Sequence, residues 1–329
     1  MDGAVTTASI DAGTEKLLHD LAGVRLLLVT PHPDDESLAL GGLIQHAVRR
    51  QADVTILQVT DGDNNPWPQR VLERRLFIGP AERRRWGRRR ADEMLEAMQR
   101  LGLNADARHR LGWPDLGVTG RLQHRGMESI EAMIGILREV SPGIVVLPAL
   151  SDTHPDHAAC HVMIRLAIQH VAHPVQCLSY HVHGHRLEAG PAIDVPLDAA
   201  MVEGKRRAIL AHHTQVALAR RRLLAMAGAV ETLHALPSSA ADDVPLPPTV
   251  PLPWQPSRAW YPWLQLTLAH PDGVHVWPWR AAPLVAHARR TCLTLPDTVR
   301  RGPVYARLEM RCSSPWIFDH WGWCELGAG

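Results

Sequence analysis

The chain has 329 residues and a formal net charge of +1, long enough for one large α/β domain with a smaller unit beside it. Near-neutral charge removes any global electrostatic case for nucleic acid, and no apolar run approaches the roughly 20 residues that span a bilayer. Residues 1–20 hold no basic segment followed by an apolar core, so no signal peptide is expected, and five cysteines without a CxxC pair read as reduced thiols of a cytoplasmic protein.

In chain order, residues 1–23 read as a tail and a short helix, 24–30 as a first strand, and 37–51 as a helix with Leu38, Leu40, Leu43 and Ala47 on one side. Residues 53–60 form a second apolar strand. Residues 64–80 read as a loop with Asn65-Pro66-Trp67-Pro68 as its breaker, and 81–100 as a very basic helix. A short strand over 107–113, an amphipathic helix over 129–140, a strand over 143–150 and a helix running to His170 follow. A further strand is expected at 175–182, and one or two helices between 199 and 230. Short apolar strands alternating with helices predict an α/β fold around a mostly parallel sheet. Composition changes after Leu236. Residues 237–256 are proline-rich and read as a semi-rigid linker. Eight of the eleven tryptophans fall between Trp254 and Trp323, and alternation at 263–268 and 304–310 predicts antiparallel strands. The expected division is a domain over 1–236, the linker over 237–256, and a small β-rich unit over 257–329 docked on the first.

The apolar run Leu26-Leu27-Leu28-Val29-Thr30 ends abruptly in His32, Asp34, Asp35 and Glu36, at the strand end where parallel sheets bind ligands. His32 and Asp35 are three apart on a strand-to-helix turn and can face one ion. His157, beyond the strand at 143–150, would complete two nitrogens and a carboxylate with one position open, the pattern of a catalytic zinc site. Asp34 is then placed as a general base. His154, followed by Asp156, suits a carboxylate-held cation that steadies an oxyanion and protonates a leaving amine. The plainer alternatives are loop polars and salt-bridge partners, and a helix N-terminal residue for His154. His46, His109, His124, His183 and His185 are read as ordinary polar histidines.

Pro31-His32-Pro33-Asp34-Asp35-Glu36 with Gly41-Gly42, followed by His154-Pro155-Asp156-His157, resembles the signatures of the PIG-L/LmbE-like zinc deacetylases, a family that includes GlcNAc-phosphatidylinositol, mycothiol-precursor and bacillithiol-precursor N-deacetylases. The likeness runs from about residue 24 to 215. It implies a Rossmann-like sheet sandwiched by helices, without nucleotide. It also implies zinc on His32, Asp35 and His157, a site that Fe²⁺ could take in the cell, with Asp34 as general base. His154, oriented by Asp156, would serve the tetrahedral intermediate. Arg90-Ala91-Asp92-Glu93 is similar to the family's R-x-x-E helix, and Trp113-Pro114-Asp115 to its substrate-contacting loop. Lys205 with His213-Thr214-Gln215 resembles a late K…H-S-Q element, with Thr for Ser. Asp63 stands where the family usually has Glu. Substrate contacts are therefore expected at Asp63, Arg90 and Asp115.

The implied reaction is hydrolysis of an acetamide on a sugar, releasing acetate and a free amine. The arginine-rich helix and the extra unit point to a GlcNAc residue of a bacterial surface glycoconjugate or its lipid-linked precursor, with lipopolysaccharide core as the case in view. Arg83–Arg90 would meet phosphates or an anionic membrane at its inner face, unless Glu82, Asp92, Glu93 and Glu96 simply pair with a solvated helix. The tryptophans could stack on sugars or form the β unit's core. The alternatives are deacetylation of a small GlcNAc-containing metabolite, cleavage of a larger acyl amide, and non-catalytic glycan binding.

Overall fold

The computed structural model describes residues 11–184, 190–237, 246–287, 290–296, 299, 302–311 and 321–327. Residues 1–10 and 238–245, together with His185 and Cys312, lie outside the described residues. Five strands, β1 (Arg25–Thr30), β2 (Asp53–Thr60), β3 (Arg108–Trp113), β4 (Ile144–Pro148) and β5 (Gln176–Tyr180), pair in parallel in the order β3-β2-β1-β4-β5. Successive side chains alternate across a strand. Leu27, Val29, Leu57, Val145 and Leu147 thus build a core on one face, while Leu26, Leu28, Ile56, Ile144 and Val146 build another on the opposite face. A sheet apolar on both sides needs helices on both. α6 (Val118–His124), α7 (Gly126–Val140) and α8 (Pro155–Ile168) cover the first face; α1 (Ala12–Asp20), α3 (Gly41–Arg49), α5 (Pro80–Arg100) and α9 (Ala199–Ala211) cover the second. β1 is central, and the chain winds outward from it in both directions. The crevice expected of such a switch in direction lies beyond the carboxyl ends of β1 and β4.

Several elements depart from expectation. β7 (Val230–Ala235) adds to β5 in antiparallel fashion and β6 (Ala192–Pro196) adds to β7. In β6 only Ile193 and Val195 are buried, a stripe too short to announce itself by periodicity. Residues 64–80 contain a helix, α4 (Pro66–Glu73). The prolines read as breakers stand in its first turn, where a missing N–H costs nothing. The helix expected over 37–51 is two, α2 (Asp35–Ala39) and α3, separated at Leu40. Between 199 and 230 lie α9 and α10 (His213–Leu224), the latter kinked at Ala219. Glu231 of β7 accepts the N–H groups of Gly42 (2.6 Å) and Leu43 (2.8 Å) and takes Lys205 Nζ at 2.7 Å. A buried carboxylate thereby caps the N-terminus of α3. A Cβ at position 42 would lie 2.5 Å from Leu197 Cδ1, so any larger residue would have to displace that side chain.

The C-terminal residues form two antiparallel sheets. β9 (Leu264–His270), β10 (Gly273–Pro278), β13 (Tyr305–Met310) and β14 (Trp323–Glu325) pair in the order β10-β9-β13-β14, and β8 (Thr249–Pro251), β11 (Leu284–His287) and β12 (Arg290–Thr294) in the order β11-β12-β8. Part of the stretch read as a linker is thus the edge strand β8, a position that tolerates proline. Leu264, Leu266, Leu268, Ala306 and Leu308 point into the unit's own core with Trp254 and Trp279. Their alternates turn the other way: Ala269, Tyr305 and Trp323 join the core of α7 and α8.

Candidate active site

The loop leaving β1 turns at Asp34, whose φ of 138° is rare for a residue with a side chain. Its neighbours hold the turn. Glu36 accepts the Asp34 N–H at 3.0 Å and Asp35 Oδ2 accepts the His32 N–H at 2.8 Å. Arg90, buried on α5, donates to Pro33 O (2.7 Å) and Gly62 O (2.8 Å) and lies 3.3 Å from Asp34 Oδ1. Gly62, at φ +60°, sits against the guanidinium so closely that a Cβ would collide with it.

The loop leaving β4 brings Asp152, His154, Asp156 and His157 to the same edge. His32 Nδ1 and His157 Nε2 lie 3.3 Å apart, His157 Nε2 and Asp35 Oδ2 3.4 Å, and His32 Nδ1 and Asp35 Oδ2 3.7 Å. Three donors about 2.1 Å from one tetrahedral ion would be about 3.4 Å from each other. These three buried side chains could therefore hold one divalent cation. Each imidazole is backed by carboxylate. Asp152 Oδ2 is 3.1 Å from His157 Nδ1, and Asp115 Oδ1 is 3.1 Å and Asp156 Oδ2 3.4 Å from His32 Nε2. Such partners fix the ring tautomer and strengthen the donor nitrogen. Burial works against charge on either ring, but the surrounding carboxylates raise His32 well above its ordinary value and lift His157 to about 9. The spot strongly favours positive charge.

Two expected roles change in detail. Burial raises Asp34 to about 6, with Arg90 pulling the other way, so it is a stronger base than an ordinary carboxylate. His154 caps α8, its Nδ1 accepting the Asp156 N–H at 3.3 Å and its own N–H donating to Asp152 Oδ1 at 2.9 Å. The Asp156 carboxylate turns away from His154 and accepts the N–H groups of Leu116 (2.7 Å) and Val118 (3.1 Å). Asp156 therefore orients His154 through its backbone alone, because the first turn of a helix directs its N–H back to the cap. Burial, then the nearby imidazoles, push His154 well below its ordinary value. These shifts favour the neutral ring over the cation expected, and the Asp156 N–H contact at Nδ1 favours its hydrogen on Nε2.

Asp115 faces His32 and accepts the Asn64 N–H at 3.0 Å. Asp63 accepts the Asp115 N–H at 3.3 Å and is not among the residues lining the cavity, whereas Arg90 and Asp115 are. His213 is exposed. Its neighbour His212 is the buried histidine, 2.8 Å from Glu36 Oε1. Thr214 binds Glu93 through its N–H and hydroxyl, so the R-x-x-E pair is split, with Arg90 on the β1 loop and Glu93 on α10. Asp152, Glu36 and His212 were not singled out from the sequence. His183, read as an ordinary polar residue, lines the cavity with a ring nitrogen within 4.8 Å of donors on Asp35 and His157.

The cavity has a volume of about 780 Å³. His32, Asp34, Asp35 and His154 form its floor, Asn64–Trp67 and α10 its flanks, and Arg307, Glu309 and Met310 of β13 a far wall. Glu309 takes Arg307 Nε at 2.9 Å and Gln265 Nε2 at 3.0 Å, and also binds Gln123 of α6.

Residues 27–168 match the family described as PIG-L: GlcNAc-PI de-N-acetylase. Over this stretch the chain is similar to the PIG-L family. A 1D-myo-inositol 2-acetamido-2-deoxy-alpha-D-glucopyranoside deacetylase of Mycolicibacterium smegmatis is 34% identical over 159 residues, which are 44% of this chain and 53% of that protein. The protein of the same description from Mycobacterium leprae is 32% identical over 163 residues, 44% of this chain and 50% of that one. The chain spans about half the length of the curated relatives it matches. Among solved structures, a deacetylase triple mutant of the teicoplanin biosynthetic pathway shares the fold, with a TM-score of 0.50 and 20% identity over 65% of this chain and 98% of that chain. The PIG-L stretch carries His32, Asp34, Asp35, His154 and His157, whereas His183, His212 and the β13 wall lie outside it.

Proposed function

We propose that this chain is a divalent-metal-dependent N-deacetylase acting on the acetamide of a GlcNAc unit. The observation that carries the reading is the His32–His157–Asp35 triangle, with donor separations of 3.3–3.7 Å, beside an Asp34 carboxylate raised by burial. These three residues would hold the ion. Two imidazoles and a carboxylate suit zinc, and Fe²⁺ shares the donor set. When bound, the ion would polarise the amide carbonyl and acidify a water. Asp34 takes the proton of the attacking water and returns it to the leaving nitrogen. Arg90 fixes the loop that carries Asp34, while neutral His154 donates from Nε2 to the oxygen that gains charge. Asp115 and Asp156 hold the His32 ring in place. Asp63 acts through the Asp115 loop.

The substrate reading follows the relatives. They are described as deacetylases of a GlcNAc-inositol, which supports a small glycoside over a lipopolysaccharide core. A cavity of about 780 Å³ lies in the range that encloses a drug-sized molecule, large enough for a two-ring glycoside. The test is acetate release from GlcNAc-inositol and other GlcNAc glycosides by the metal-loaded protein. Asp34→Asn should lower kcat by roughly 10²–10⁴-fold while metal content per chain stays constant. Absence of acetate release from every N-acetylglucosaminide would leave a glycan-binding protein as the better reading.

A further inference from the structure

Residues 66–90 carry nine arginines against two glutamates, in a chain whose net charge is +1. Arg75 and Arg85 are met by Glu82 and Glu73, Arg89 by Glu93, and Arg90 is buried in the site. Arg74, Arg83, Arg84 and Arg88 have no carboxylate in ion-pair reach among the described residues. The same segment is built inside out. In α4 the polar Gln69 is fully buried, bonded to Glu82 O at 2.8 Å, while Trp67, Val71 and Leu72 face solvent. The loop that follows presents Leu76 at 82% and Phe77 at 90% exposure. Arg70 tethers this loop by donating to Leu76 O at 3.0 Å, and its guanidinium lies 5.0 Å from the Trp67 ring. Single exposed apolar residues are ordinary, but five within eleven positions, in the same stretch of chain as four cations without a carboxylate partner, mark an interaction surface.

We propose that α4 and the 74–79 loop form an interfacial anchor for an anionic lipid bilayer. Leu76, Phe77, Val71 and Leu72 would enter the headgroup boundary, and Arg74, Arg83, Arg84 and Arg88 would meet lipid phosphates. Charge chooses this occupant. A second copy of the chain would bring two arginine clusters together, whereas an anionic surface neutralises one. No described helix is long and apolar enough to cross a membrane, and this surface would lie at the headgroup boundary. Pro66 and Trp67 also line the catalytic cavity, so a docked protein holds its cavity mouth at the bilayer.

The experiment is co-sedimentation of the full chain with vesicles of phosphatidylcholine alone and with added phosphatidylglycerol, at low and high salt. Binding is expected only to the anionic vesicles and should weaken with salt. Leu76→Asp/Phe77→Asp and, separately, Arg84→Glu/Arg88→Glu should each lower the partition coefficient about tenfold or more. All four side chains are exposed, and an unchanged melting temperature and metal content would confirm that the variants are folded. Absence of binding, equal binding to neutral vesicles, or variants that bind like the parent would overturn the proposal. Light scattering that shows a dimer dispersed by Leu76→Asp/Phe77→Asp would assign the surface to self-association instead. The readout does not involve turnover, so it fails or succeeds apart from the deacetylase reading.

Discussion

Asp152 supports His157 at 3.1 Å while its two oxygens also accept the N–H groups of His154, Val182 and His183. One carboxylate thus lies against a ring of the proposed metal site and holds the cap of α8 and the strand exit that carries His183. Asp152→Asn keeps the shape but replaces an oxygen that must accept with a group that donates. Metal affinity is expected to fall about 10–100-fold, read by competition with a chromophoric chelator, and an unchanged affinity would show that His157 needs no such partner. The convergence of His32, Asp35 and His157 is legible in the sequence because a strand-to-helix turn and a second strand exit leave little choice of direction. Asp152, Glu36 and His212 are not, because each acts on another side chain and leaves no spacing to read. The closeness of Asp156 to His154 in sequence suggests a carboxylate–imidazole contact, where helix geometry offers only the backbone.

At the scale of elements, burial patterns decided what could be foreseen. β1 and β4 are apolar on both faces and were plain, while β6 and β7 offer too few buried residues and α4 hides behind prolines that a first turn accepts. The β9–β10 hairpin carries a further consequence. His270 is buried, with its Nε2 3.2 Å from His275 Nε2. Burial, then the neighbouring His275, lower it to about 4. An unfolded histidine titrates near 6.5, so between about 6.5 and 4 the unfolded chain binds the extra proton. Stability conferred by neutral His270 is whole above that window and is lost as pH falls through it. The melting temperature of His270→Gln is therefore expected to decline less steeply from pH 7 to 4.5 than that of the parent. Parallel declines would show that His270 does not titrate with unfolding.

Across the whole molecule, the C-terminal β unit closes what the α/β sheet begins. Its leucines face inward, and the polar alternates Gln265, Thr267, Arg307 and Glu309 look solvent-facing in the sequence. They face α6 and the cavity instead, which alternation alone cannot announce because it separates two faces without naming what covers each. α8 is buried along its length, partly beneath Tyr305 and Trp323. A chain cut after residue 236 would expose that surface. Since removing a single buried aromatic side chain typically costs about 3–5 kcal/mol, urea unfolding of such a fragment should show a loss of at least that size. A fragment as stable as the full chain would make the two parts independent domains.

The unusual backbone at Asp34 has an evolutionary corollary. Such a conformation disfavours any residue with a β-carbon by about 1–3 kcal/mol, and glycine would settle there with less strain. Breeding for heat tolerance alone would therefore drift toward glycine at this position and discard the proposed proton acceptor with it. If Asp34 serves as proposed, a lineage that retains the aspartate trades some ruggedness for turnover, and a heat-adapted cousin recovers the difference elsewhere in the fold.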